Sequence, residues 1–91
     1  MNNKVILESL SMDLLRVAKG FYRGSDRMAE RFLEEALLRK EEVDQGEIKP
    51  YLRRVLMLME KSLKSAERER QAEDALMYST LIRNYSQMFC A

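Results

Sequence analysis

Histidine and tryptophan are absent from this chain, and cysteine and proline each occur once. Without histidine there is no serine or cysteine triad and no histidine-bearing zinc or di-iron helix site. The arginine–histidine pair of many small helical ribonucleases is missing as well. Cys90 stands alone, which excludes an internal disulfide and any multi-cysteine metal site. A glycine-rich phosphate loop is also lacking. No apolar stretch approaches the roughly 18 residues that span a bilayer. The opening residues, MNNKVILESL, lack the apolar core and small-residue cleavage site of a signal peptide. A cytoplasmic location is therefore expected, with no membrane partner.

Charge of one sign is scarce too. Sixteen basic and fifteen acidic residues leave a net charge of +1, so any binding to nucleic acid must come from a local patch. What is present is a globular balance, 46% hydrophobic and 34% charged, which separates the chain from disordered sequences. Its 91 residues suffice for one domain, 1–91, with a narrow stability margin that association with a second copy would widen.

The few glycines and the proline fall between stretches of helical period. Leu7, Leu10, Leu14, Val17, Ala18 and Phe21 recur at three- and four-residue steps. Ser9, Ser11 and Asp13 offer caps within that stretch and Asn3 an earlier one, so residues 4–10 read as a potential separate arm. Gly20 and Gly24 mark a turn, and Ser25 with Asp26 starts a second helix carrying Met28, Ala29, Phe32, Leu33, Ala36 and Leu37 on one side. Asp44, Gln45 and Gly46 end it.

Pro50 suits the first turn of a third helix. There Ile48, Leu52, Val55, Met59, Leu63 and Ala66 follow a near-heptad seam. From Tyr51 onward glycine and proline vanish, and the apolar signal fades between Lys64 and Gln71. Either one helix of about 60 Å or two helices with a break near 65–71 fits. A break is favoured, since nothing else in a chain this small covers so long a rod. The expected fold is all-α: an antiparallel four-helix bundle with helices at about 4–20, 26–43, 48–64 and 71–89, completed by dimerisation.

Carboxylates are the remaining chemical resource. Glu34, Glu35, Glu41 and Asp44 resemble the paired glutamates and Glu-x-x-Asp motif of all-α nucleotide pyrophosphohydrolases. That resemblance implies magnesium-dependent hydrolysis. In the family the two acidic elements converge from different helices, whereas here they share one. Solvated surface charge accounts for them more simply, and no catalytic residue, metal or cofactor is expected.

Arg16, Lys19, Arg23, Arg27 and Arg31 recur at three or four residues and line a basic edge. Asp26, Glu30, Glu34 and Glu35 interleave with it, which dilutes its field and disfavours nucleic acid. In the last segment, Tyr78, Arg83, Tyr85 and Met88 are residue types enriched at protein interfaces. Core filling explains most of the seven methionines. Met57 is the exception: with Leu56 and Leu58 it makes the third helix apolar on more sides than one neighbour covers. The expected function is a non-catalytic, self-associating protein-interaction module with a protein partner. A nucleic-acid-associated regulator using Arg16 to Arg31 is second, and the hydrolase third.

Overall fold

The computed structural model describes residues 2–65 and 67–90. Among them the chain forms four α-helices, with no strand. These are α1 (Asn3–Tyr22), α2 (Asp26–Glu41), α3 (Pro50–Ser65) and α4 (Arg68–Phe89), with a 3-10 turn at Gln45–Glu47 before α3.

No separate arm precedes α1. The side chain of Asn2 accepts from the Val5 N–H and caps a continuous helix. Asn3, expected as a cap, instead ties the two ends of the α1–α2 hairpin. Its amide donates to the Asp44 carbonyl at 3.1 Å and accepts from the Asp44 N–H at 2.9 Å.

Gly20, expected as the edge of the turn, lies inside α1. A β-carbon there would sit 2.7 Å from the Ala29 nitrogen, so the position keeps only a hydrogen where the α1 and α2 backbones cross. The turn itself belongs to Gly24, whose φ of +75° is open to glycine at no steric cost. Ser25 then caps α2 through the Met28 N–H.

Two helix boundaries expected further along also move. Helix α2 ends at Glu41, leaving Val43 buried in the connection. Helix α3 begins at Pro50 and not at residue 48, because the residue before a proline is held extended; Ile48 is buried in extended backbone. The break between the last two helices is real: Glu67 has ψ 159°, outside helical space. Ala66, assigned to the α3 seam from its spacing, lies outside the described residues.

The register is antiparallel throughout. Ser11 meets Ser79 across α1 and α4, while Ser62 bonds Asp74 across α3 and α4. Helix α1 is the hub, packing extensively on both α2 and α4. Helix α3 leans on α4 and touches α2 only sparingly. The result is a rod of 36 × 20 × 20 Å, about the length of α4. One core cluster runs through it, built from residues such as Leu7, Leu14, Leu52, Leu56, Met59 and Ile82.

Candidate interaction surface

Helix α3 turns Leu52, Leu56, Met59 and Leu63 fully inward. Its sequence remains apolar past that face. Tyr51, Met57 and Leu58 are 55%, 59% and 40% exposed, because α3 has one close helical neighbour where its pattern asks for two. Met77 and Met88 on α4 are exposed as well. Among these apolar side chains stand Arg53, Arg54, Lys61 and Lys64, all exposed, against a single acid, Glu60. Glu60 is held by Lys40 and Lys64, both at 2.9 Å, and these partners keep its carboxyl below the usual range. The outward side of α3 is therefore basic and greasy at once.

The basic edge expected from the sequence divides in two. Arg16 is drawn into the groove between α1 and α2, its guanidinium 5.3 Å from the centre of the Phe32 ring and 3.7 Å from Asp13. Lys19, Arg23, Arg27 and Arg31 remain exposed around the Gly24 turn, with no ion pair among the described residues. Nearby Asp26 is taken by Arg68 at the start of α4.

Tyr78 and Tyr85, expected at a partner surface, are instead core residues, 8% and 4% exposed. Their seven-residue spacing gives them one face, and both belong to the core cluster. The Tyr85 hydroxyl accepts from the Lys49 N–H at 2.9 Å, and its ring lies 5.0 Å from that of Phe89. Burial also pushes the Tyr78 phenol above its ordinary range. Arg83 and Met88 are exposed, but they point about 140° apart around α4 and form no joint patch.

Sequence reasoning missed the polar seam inside the bundle. Asp13 is buried between α1 and α2, 3.9 Å from Arg39, and desolvation raises its pKa despite two arginines. Asp13 Oδ2 and Arg39 Nε are buried without a hydrogen-bond partner. Ser11 and Ser79 satisfy each other: the Ser79 hydroxyl donates to the Ser11 carbonyl at 2.8 Å, and the Ser11 hydroxyl to the Ser79 carbonyl at 3.2 Å. A signal did exist, since Ser11 falls four residues after Leu7 and seven before Ala18, in phase with the core.

Two open clefts lie on the surface formed by the described residues. One, of about 410 Å³, lies where Phe21 and Tyr22 meet the start of α4, and the Asp26–Arg68 pair lines it. The other, of about 320 Å³, lies over Asp13, Arg16 and Arg39. The acidic quartet Glu34, Glu35, Glu41 and Asp44 stays strung along α2 and the connection after it. Among the described residues no group of three or more carboxylate or sulfur ligands is placed to hold a metal. No helix among them is long and apolar enough to cross a membrane. Cys90 is half-buried, and burial pushes its thiol up, away from the reactive thiolate. Comparison with known proteins found no family, no curated protein and no solved structure that matches this chain.

Proposed function

We propose that this protein is a non-catalytic protein-interaction module that self-associates through the outward side of α3. One observation carries the reading: Tyr51, Met57 and Leu58 extend the apolar circumference of α3 beyond what the described residues cover. Fully burying a side chain of this size is worth about 1.5 to 3 kcal/mol, so half-exposed ones leave a gain unrealised in the monomer. A second copy supplies the missing neighbour.

Sedimentation across a wide concentration range is the direct test. A monomer–dimer equilibrium is expected, and Leu58→Glu, at an exposed position, should shift it to monomer while leaving the helical spectrum intact. A parent chain that stays monomeric at every accessible concentration would overturn the proposal.

A further inference from the structure

The cleft of about 320 Å³ over the α1–α2 seam holds unmet polar groups. Helix α1 supplies Glu8, Ser9, Met12, Asp13 and Arg16, which four-residue steps place in adjacent rows on one face; Arg39 closes the other side from α2. The Asp13 side chain is only 9% exposed. Its Oδ2 lies 3.9 Å from Arg39 Nε, and both atoms are buried without a hydrogen-bond partner. Glu42 takes the far end of the Arg39 guanidinium at 3.4 Å, which leaves Nε beside Asp13. Buried polar groups nearly always find partners, and a charged group left without one is costly.

An acceptor and a donor thus stand side by side. The group that satisfies both presents a donor and an acceptor on neighbouring atoms. Charge narrows the choice. Glu8 and Asp13 bring negative charge to the walls, Arg16 and Arg39 an equal positive charge, and Glu8 enters no ion pair among the described residues. A simple anion would be repelled by the two carboxylates, and a simple cation by the two guanidiniums. A zwitterion avoids both conflicts: its ammonium faces carboxylate, and its carboxylate faces guanidinium, whose planar N–H donors match it.

We propose that this cleft binds a free α-amino acid, with the ammonium on Asp13, the carboxylate on Arg39 and Arg16, and the side chain beside Met12. The volume lies at the small end of the roughly 300 to 1,000 Å³ of small-molecule sites, as a ligand of this size requires. Arg16 is the movable wall. Its side chain is 46% exposed and makes no hydrogen bond among the described residues, so it swings off Asp13 to admit the ligand. The site lies on α1 and α2 and does not depend on the outward side of α3.

Proton–nitrogen correlation NMR tests this by following the Arg39 Nε–H and the Asp13 backbone N–H while glycine or L-leucine is added. Both signals should shift and saturate by about 10 mM ligand. Acetate, methylammonium and N-acetyl-L-leucine amide each lack part of the charge pair and should bind at least about tenfold more weakly. Asp13→Ala should weaken amino-acid binding to the same extent, and Arg39→Gln serves if circular dichroism shows the first variant unfolded. No saturable shift with either amino acid, an equal response to acetate or to the neutral amide, or a folded variant that binds as tightly as the parent would overturn the proposal.

Discussion

Asp13 shows how one side chain links packing to pH. Sequence context suggested a cap, yet its carboxyl is buried between two helices with Arg39 and Arg16 nearby but beyond hydrogen-bonding distance. Desolvation outweighs both arginines and raises its pKa from the ordinary 3.8. A carboxyl that binds its proton more tightly when folded stabilises the fold fully below the unfolded value. That stability is lost as pH rises through the higher folded value. Asp13→Asn should therefore flatten this part of the stability profile. Urea unfolding between about pH 3 and 7 checks it: relative to the variant, the parent should weaken as pH rises through the raised pKa and then level off. A constant difference across that range would show that Asp13 titrates alike in both states. Glu60 acts with the opposite sign, its contribution falling away as pH drops through its lowered pKa.

Helix pairing is set by where the backbones come close. Helices α1 and α2 cross with Gly20 against Ala29, and a methyl at Gly20 would press into the Ala29 backbone, which has no flexible end to yield. Gly20→Ala improves helix propensity by up to about 1 kcal/mol but forces the two helices apart. Overpacking of that kind costs about 1 to 3 kcal/mol, so after the propensity gain a net loss of up to about 2 kcal/mol is expected by chemical denaturation. A more stable variant would mean that the crossing relaxes freely. The same element shows the limit of reading glycine from sequence. Gly20 and Gly24 look alike as punctuation, but one serves a close approach and the other a positive φ. Only the neighbour across the bundle distinguishes them.

At the scale of the molecule, α1 has partners on two sides and α3 leans chiefly on α4. That asymmetry leaves the third helix short of cover, and the proposed self-association rests on it. Thermal unfolding should then depend on concentration. Raising the chain a hundredfold, from below to above its dissociation constant, should lift Tm by roughly 5 °C. In the Leu58→Glu variant the shift should disappear. A concentration-independent Tm for the parent would separate its stability from any assembly.

By itself the sequence determined the all-α class, the first two helical segments and most inward positions, from Leu7 to Ile82, while it left open whether residues 51–89 form one helix or two. Those follow from local rules: helical period, capping side chains and the φ restriction of proline. Tertiary structure alone decided that Tyr78 and Tyr85 face inward, that Ser11 and Asp13 join helices instead of capping one, and that Ser79 meets Ser11 across the bundle. A residue's periodicity states which side of a helix it occupies. Whether another helix lies on that side depends on long-range packing, and here α3 has room left for one more.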